Sequence, residues 1–429
     1  MKEMLKYLKP YKKELTFGPL FKLFEAIIEI SLPIIIAKII DNSANLTTKQ
    51  IILYTIGILV IVIISFCSAS TSQYFAAKAS QGYGNTLRKT LFKHISELSN
   101  KQLNVYGSSA LVNRMTNDIS NLEVAVAMFI RLVLRSPFIC LGSLIMIFII
   151  NVMLAIAITL ILIILAISIF IAFKVSSKLQ KNLNSKIDKI LVRIKENLVN
   201  IRLIRSFNTK QLENKEFNIQ NNKIHELSLK YNFISNLLAP NNIIILNIAI
   251  VIILYVSKVY IKDITVGNLI AIINYISQMT NAIIVLSNLI IIYTRAFVSA
   301  NRITEIITIK PDMEYGEIEE ISNIENAITI RNIEFSYNEE SELIKDLNLT
   351  IKQGEIIGII GFTASGKTSL LNLISRNYDI KQGEILIFGK NIKHYKKKTL
   401  KDNISIISQK KQFFTGTIEE NIKLREKNQ

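Results

Sequence analysis

Hydrophobic and polar positions divide the chain into two parts. Up to about residue 309, long apolar runs alternate with charged stretches, and beyond it short apolar runs alternate with polar turns. A helix needs about 20 mostly apolar residues to cross roughly 30 Å of hydrocarbon. Runs of about that length or longer lie at residues 15–40, 51–70, 128–150, 152–173, 233–256 and 266–293. The pattern therefore predicts a multi-span α-helical membrane domain with six transmembrane helices.

Basic residues between these runs predict the orientation of the membrane domain. Five lysines lie within the first 14 residues, and the segments 71–127 and 174–232 are rich in Lys and Arg. The alternate loops hold Lys49, no basic residue around Asn151, and two lysines near residue 260. The positive-inside rule therefore predicts that both termini are cytosolic. Helical periodicity in the two long segments predicts helices that continue beyond the bilayer.

The pattern changes after residue 309, where Pro311 opens an acidic stretch. Such a change marks a domain boundary. We interpret residues 1–309 as the membrane domain, 310–326 as a linker and 327–429 as part of an α/β domain. In that last part, the predicted strands are AITIRNIEFSY, LIKDLNLTI, EIIGIIG, GEILIFG and NISIISQ, and the predicted helices are KTSLLNLISRNY and TIEENIKLREKN.

Composition separates two classes of basic protein. The formal net charge of +18 suits either a nucleic-acid binder or a membrane protein with basic cytosolic parts. Half of the residues are hydrophobic, and the long apolar runs favour the membrane protein, so nucleic acid is not an expected partner. Cys67 and Cys140 lie inside apolar runs, which indicates neither a disulfide framework nor a zinc site.

A phosphate-binding motif follows the run EIIGIIG. Gly361, Gly366, Lys367 and Thr368 have the spacing G-x-x-x-x-G-K-[ST], and the loop leads from a predicted strand into a predicted helix. The N-terminus of a helix favours anions through its free backbone N–H groups and its dipole. Lys367 is expected to reach the β- and γ-phosphates of a nucleotide, and the Thr368 hydroxyl is expected to bind Mg²⁺. The N–H groups expected to surround the phosphates are those of Phe362, Thr363, Ala364, Ser365 and Gly366.

Two further residues flank this loop at the ends of predicted strands. Tyr337 would stack on adenine, and Gln409 would supply an amide oxygen to Mg²⁺ and to the attacking water. Taken singly, a strand-terminal tyrosine is more often a half-buried core residue, and a lone glutamine is uninformative. Their order around a phosphate loop favours the nucleotide roles.

The six apolar runs, Tyr337, the loop at 361–368 and ISIISQKKQFFTGTIEENI together resemble a half-transporter of the ATP-binding cassette (ABC) exporter superfamily. FKLFEAIIEISLPIIIAKIID, SSALVNRMTNDISNLEVA, VRIKENLVNIRLIRSFNTKQLENKEF and VGNLIAIINYISQ are similar to its bacterial multidrug branch, many of whose members work as heterodimers. The resemblance implies ATP and Mg²⁺ as cofactors, a second half-transporter as partner and contact with membrane lipid. It also implies a hydrophobic or amphiphilic small molecule as the transported substrate, and a location in a bacterial plasma membrane.

The same resemblance implies roles for particular residues. Residues 108–118 and 208–216 would form the coupling helices that press on the nucleotide domains, although a solvated polar segment is the other interpretation of each. Thr368 and Gln409 would bind Mg²⁺. The residues implied to contact ATP are Tyr337, Gly361, Phe362, Thr363, Ala364, Ser365, Gly366, Lys367, Thr368, Ser369 and Gln409.

The chain departs from the family pattern at Ala364 and after Gln409. Ala364 stands where the family has glycine, and if that position needs a positive φ, alanine costs on the order of 1 kcal/mol. The family continues with the signature motif LSGGQ, the Walker B strand with the catalytic Glu, and a switch His, none of which is found in this sequence. The nucleotide-binding domain is therefore expected to be truncated after the segment that contains Gln409, which the family calls the Q-loop. The chain is not expected to hydrolyse ATP alone. The run EIIGIIG is expected to present an apolar, unpaired edge.

Two functions are consistent with these features. The first is a half-subunit of an ATP-driven exporter, present here as a fragment or degenerate copy. The second is a non-hydrolysing, ATP-binding regulatory partner of a full-length half-transporter, which would be expected to co-purify with that partner.

Charged residues inside the first apolar run also allow two interpretations. Lys22, Glu25 and Glu29 are spaced three and four residues apart, so they share one face of a helix. Charges within a membrane usually face the bundle interior or an aqueous cavity. Glu25 and Glu29 would then either line a cavity that favours cationic amphiphiles or simply pair with Lys22 near the interface.

Overall fold

The computed structural model describes residues 2–260, 264–320, 324–337, 343–407, 409 and 413–423. The chain forms two compact units. The helical unit comprises Met1–Lys89 and Thr116–Thr304, and the sheet unit comprises Thr90–Met115 and Glu305–Gln429. The predicted boundaries at residues 309 and 326 stay predictions, and the two units are described separately below.

Long helices occupy all six apolar runs. In chain order, the helices before residue 308 are α1 Lys2–Lys6, α2 Lys12–Asn42, α3 Thr48–Glu97, α4 Asn100–Tyr106, α5 Ser108–Asn113, α6 Ile119–Met128, α7 Arg135–Ile150, α8 Val152–Val199, α9 Ile201–Ser206, α10 Lys210–Asn236, α11 Leu238–Tyr260 and α12 Val266–Ile307. Single π-helical turns at Arg114–Asp118 and Phe129–Val133 connect α5, α6 and α7.

Four helical stretches among the described residues are long and apolar enough to cross a membrane. They are Thr48–Glu97, Ser108–Ile150, Val152–Val199 and Val266–Ile307, and a shorter apolar helix covers Ile243–Val259. The first predicted span lies on α2, which is long enough but carries Lys22, Glu25, Glu29 and Lys38. Length and composition therefore support several membrane-crossing helices, and α2 is more charged than the other apolar helices.

The core of the helical unit lies where α2, α7, α8 and α12 meet. Ile30, Ile147, Leu154, Ile158 and Tyr275 are among its buried members. The buried Tyr275 hydroxyl donates to the backbone carbonyl of Ile30 at 2.8 Å, which satisfies a polar atom inside apolar surroundings.

The sheet unit contains a four-stranded antiparallel sheet in the order β2-β1-β3-β4. Its strands are β1 Asn326–Phe335, β2 Ile344–Lys352, β3 Gln382–Ile387 and β4 Lys390–Asn391, and its helices besides α4 and α5 are α13 Lys367–Ile374, α14 Lys397–Asn403 and α15 Ile418–Ile422. Ile330 pairs with Leu349 on one side and with Ile385 on the other. Three of the five predicted strands are therefore confirmed as β1, β2 and β3.

The predicted strands EIIGIIG and NISIISQ are wrong for the described residues. Residues 355–361 and 403–407 have no strand assignment, and Ser408 lies outside the described residues. Ile356 and Ile360 are 97% and 99% exposed. A β-strand needs hydrogen bonds from a neighbouring strand, and no described strand pairs with either segment. Of the last predicted helix, the structure gives Ile418–Ile422, and residues 424–428 lie outside the described residues.

The stretch predicted as a linker lies against the sheet unit. The Gly316 N–H donates to the carbonyl of Lys393 at 2.9 Å, and Ile318 forms a parallel bridge with Tyr395. A Cβ on Gly316 would lie 2.1 Å from the carbonyl oxygen of His394, so the close approach requires glycine. Residues 311–319 are thus attached to this unit, whereas 321–323 lie outside the described residues.

Candidate nucleotide-binding site

The loop at residues 361–368 ends where helix α13 begins. Gly366 has a φ of +91° and forms the N-cap, and Lys367 is the first helical residue. Ser369, Leu370 and Leu373 of α13 are buried, so one face of the helix is fixed against the core of the sheet unit. The first turn of a helix anchored in this way presents its N–H groups towards the loop.

The Lys367 ammonium lies inside the loop. Its Nζ donates to the carbonyl oxygens of Gly361 and Phe362, each at 2.7 Å, and to Ser365 Oγ at 3.3 Å. The Ser365 N–H in turn donates to the Phe362 carbonyl at 3.2 Å. A cation held against neutral carbonyls is able to exchange them for phosphate oxygens, which bind an ammonium more strongly because they are charged.

Ala364 adopts a left-handed backbone conformation, with a φ of +67°. This meets the condition under which alanine was expected to be unfavourable at this position. A Cβ at positive φ approaches the following carbonyl oxygen, so the residue stores on the order of 1 kcal/mol of strain. The loop is formed, but at a cost that glycine would not have.

Replacing Ala364 with glycine is expected to strengthen ATP binding about twofold to fivefold. Glycine removes the steric cost of the positive φ, so a larger fraction of unbound molecules holds the loop in the conformation that binds ATP. The matched control is Gly366→Ala, at a φ of +91°, whose added Cβ would meet only ordinary contacts at 3.5 Å. Gly366→Ala is expected to weaken ATP binding, because it introduces a Cβ at a positive φ. Equilibrium titration with a fluorescent ATP analogue checks both, and equal affinities for A364G and the parent chain would contradict the strain argument.

Tyr337 lies beside the first turn of α13. Its hydroxyl donates to Ser369 Oγ at 3.1 Å, and its ring meets those of Phe335 and Tyr378 edge to face at 4.9 and 5.1 Å. The side chain is 45% exposed, so one part of the ring packs and another part is accessible. Both interpretations of this tyrosine therefore have structural support, since it is a half-buried residue next to the loop.

The two predicted magnesium ligands, Thr368 and Gln409, lie on separate segments of the sheet unit. Thr368 lies exposed on the first turn of α13, and Gln409 is exposed. No hydrogen bond joins Gln409 to another described residue. The described residues also contain no cluster of three or more His, Cys, Asp or Glu that could hold a metal ion. Mg²⁺ usually takes few ligands from protein and the rest from phosphates and water, so a single threonine hydroxyl fits it. The role of Gln409 stays a prediction.

The sheet unit joins two segments of the chain, Thr90–Met115 and Glu305–Gln429. The contacts that the first segment makes with the second come mainly from α4. Ser99 caps this helix, and Gln102 Nε2 and Asn104 Nδ2 donate to the Lys310 carbonyl at 2.8 Å and the Tyr378 hydroxyl at 3.0 Å. Tyr106 donates to Glu305 at 3.2 Å. The predicted coupling segment 108–118 contributes Arg114, which pairs with Glu305 at 3.5 Å. The segment 108–118 thus shares these contacts with α4, and its coupling role stays a prediction.

The second predicted coupling segment, 208–216, is a helical hairpin turn within the helical unit. Asn208 has a φ of +54° between α9 and α10. Glu213 accepts hydrogen bonds from Asn197 and Arg193, both at 3.1 Å. These bonds from Asn197 and Arg193 lower the pKa of Glu213, so the carboxylate stays charged. These hydrogen bonds thus hold the start of α10 against α8, and the coupling role of the turn stays a prediction.

Lys22, Glu25 and Glu29 of α2 have ion-pair partners. Lys22 contacts Glu25 at 2.5 Å, and Arg135 from α7 contacts Glu29 at 2.5 Å. Arg135 was missed in the sequence because it lies inside an apolar run and not between runs. The pairing favours the ion-pair interpretation over a cavity for cationic amphiphiles, since each glutamate already has a cationic neighbour.

Arg376, which follows α13, is a second residue without a sequence signal. Its side chain is 2% exposed, and its guanidinium forms an ion pair with Asp379 at 3.0 Å. It also lies over the ring of Tyr315 at 4.4 Å and donates to the carbonyls of Glu314 and Ile392. One side chain thus connects the phosphate-loop helix to the 311–319 stretch.

Comparisons with known proteins agree with this organisation. Residues 15–283 match the family model of the ABC transporter transmembrane region, and residues 344–429 match that of the ABC transporter. The first match covers most of the helical unit and more than half of the chain, and the second includes the loop, α13 and Gln409.

Curated bacterial relatives extend over nearly the whole chain. An uncharacterized ABC transporter ATP-binding protein of Bacillus subtilis, YfiB, is 28% identical over 427 residues, which cover 98% of this chain and 74% of the relative. YgaD of the same organism, named for a multidrug export ATP-binding/permease function, is 24% identical over 98% of this chain and 75% of its own length. The ATP-dependent lipid A-core flippase of Haemophilus influenzae is 23% identical over 98% of this chain and 72% of its own length.

Proposed function

The chain belongs to the ABC transporter family, and we propose that it is a half-subunit of an ATP-driven exporter that binds ATP through the loop at residues 361–368. A membrane domain and a nucleotide-binding domain in one chain are the two parts that such a half-subunit needs. The residues of the loop would bind the nucleotide, and the helices of the helical unit would bind the transported molecule.

The observation that carries the proposal is the position of the Lys367 ammonium. It lies within 2.7 Å of two loop carbonyls, directly before the N-terminus of α13, where a bound phosphate would gain both the charge and the helix N–H groups. Hydrolysis of the ATP phosphoanhydride by water would supply the free energy for transport, and Mg²⁺ would stabilise the charge on the phosphates. Thr368 is accessible for the metal, and the exposed part of the Tyr337 ring is accessible for the adenine.

The substrate class and the partner follow from family membership. YgaD is named for multidrug export and the Haemophilus relative for flipping lipid A-core, so both names indicate amphiphilic or hydrophobic compounds. The chain is therefore proposed to transport a hydrophobic or amphiphilic small molecule, together with a second half-transporter. The distribution of Lys and Arg supports a multi-pass arrangement in a bacterial plasma membrane with both termini cytosolic.

Equilibrium binding of nucleotides to the purified chain in detergent tests the ATP part of the proposal. Mg-ATP is expected to bind saturably and to compete with unlabelled ATP, whereas AMP, which lacks the β- and γ-phosphates, is expected to compete at least tenfold less well. Equal competition by ATP and AMP would show that the loop does not bind these phosphates. Co-purification with a full-length half-transporter would instead favour the non-hydrolysing regulatory partner, because neither function expects this chain to hydrolyse ATP alone.

A further inference from the structure

A large cavity in the helical unit is lined by α8, α10 and α12. Its volume is about 800 Å³, within the range of sites that hold drug-sized molecules. Along α8 the lining residues recur every three to four positions from Ser176 to Asp188, with Ile169 about two turns earlier, so one face of that helix forms one wall. The opposite wall is the α12 face from Ile284 to Arg295, and Tyr231 of α10 contributes between them.

The cavity is apolar at one end and charged at the other. Ile169 and Ile284 lie inside the apolar runs of α8 and α12, whereas Lys181 and Asp188 lie beyond the end of the apolar run on α8. At 1.5 Å per residue, Ile169 and Asp188 are about 28 Å apart along the helix. A ligand that fills this length must itself be amphiphilic, with an apolar body and a polar head.

The charges at the polar end favour an anionic head. Lys181 and Arg295 line the cavity together with a single carboxylate, that of Asp188, so the lining carries one excess positive charge. None of these three side chains forms an ion pair with another described residue. The amides of Gln180, Asn184 and Asn288 line the same region and add hydrogen-bond donors. A carboxylate, sulfonate or phosphate would find two cations and several donors here, whereas an ammonium group would meet net repulsion.

We propose that this cavity binds drug-sized anionic amphiphiles, with the anionic head near Lys181 and Arg295 and the apolar body near Ile169 and Ile284. This inference rests on the proposed function, because it names the chemical class that the exporter half would transport. It also separates the substrate site from the paired charges Lys22, Glu25, Glu29 and Arg135 elsewhere in the unit.

The proposal is tested with the full chain in nanodiscs of phosphatidylcholine, which carry no net charge. The probes are tritiated 11-(dansylamino)undecanoic acid and its methyl ester, which have the same body and differ in the negative charge. Binding is measured by scintillation proximity, with empty nanodiscs subtracted. The acid is expected to bind more tightly than the ester. The double variant Lys181→Gln, Arg295→Gln is expected to lower the affinity for the acid about tenfold and the affinity for the ester less than twofold, because only the acid forms two partly exposed charge pairs.

Two matched variants control for general effects of charge. Lys178→Gln removes a lysine of the same helix that does not line the cavity, and it is expected to leave both affinities unchanged. Asp188→Asn removes the single carboxylate of the lining and is expected to raise the affinity for the acid about twofold. Equal binding of acid and ester to the parent chain would overturn the proposal, and so would equal losses in K178Q and in the double variant.

The readout is independent of nucleotide, so the two proposals fail separately. If the acid binds as expected while Mg-ATP and AMP compete equally, the cavity stands and the ATP-driven function does not. If ATP binds as expected while the acid shows no preference, the exporter function stands and the anionic substrate class is wrong.

Discussion

Lys367→Ala is expected to lower the affinity of the chain for Mg-ATP by roughly thirtyfold, which corresponds to about 2 kcal/mol. The lysine is the one cation of the loop, and its Nζ lies at hydrogen-bond distance from Gly361 and Phe362. Alanine removes a charge-assisted contact to the phosphates, and it also leaves two loop carbonyls without their donor. The loss is measured by equilibrium titration with a fluorescent ATP analogue.

Two further variants separate the role of Lys367 from a general loss of positive charge. Lys367→Arg keeps the charge on a larger, planar group that does not fit the same carbonyls, and it is expected to lose most of the affinity as well. Lys352→Ala removes an exposed lysine whose ion-pair partner in the described part of the chain is Glu325 on the surface, and it is expected to leave binding unchanged. Unaltered affinity in K367A would mean that nucleotide, if bound, is held elsewhere.

The sequence predicted those parts of the fold whose stabilising contacts are local or periodic. Helices formed at all six apolar runs because an apolar stretch of that length satisfies its own backbone hydrogen bonds wherever it lies. Strands β1, β2 and β3 formed because their alternating residues pair with one another within the described part of the chain. The loop at 361–368 was predicted from its spacing and from the helix expected after it, which α13 confirms, and the positive φ at Ala364 met the condition stated for strain there.

The remaining features depend on contacts that no short stretch of sequence encodes. EIIGIIG has the composition of a buried strand, yet its backbone meets no described partner, so propensity alone did not make it a strand. Arg135 and Glu29 are 106 positions apart, and Asn104 and Tyr378 are 274 apart. Pairings over such distances become visible only when the packing of whole helices is known. The composition of the acidic stretch after Pro311 predicts a linker, and it gives no sign that Tyr315 stacks on Arg376.

Arg376→Ala is expected to destabilise the sheet unit by about 3 kcal/mol, which raises the fraction of open molecules roughly a hundredfold. The guanidinium is 2% exposed, and it satisfies the carboxylate of Asp379 and the carbonyls of Glu314 and Ile392 at the same time. Removing the guanidinium leaves these acceptors without its hydrogen bonds and opens space beneath the ring of Tyr315. The chain has no tryptophan to report on this unit, so hydrogen exchange followed by mass spectrometry of peptides from β1 and β3 is the measurement.

The matched control is Arg331→Ala, because Arg331 is also an arginine of the sheet unit in contact with a carboxylate. Arg331 and Glu384 are 2.9 Å apart, but their side chains are 63% and 37% exposed. Solvent screens such a pair, so its loss is expected to change exchange less than fivefold. If both variants exchanged equally fast, burial would not be what makes Arg376 important. Faster exchange in R376A alone, spreading from the 311–319 stretch to β1 and β3, would mean that this single side chain couples that stretch to the domain that carries the phosphate loop.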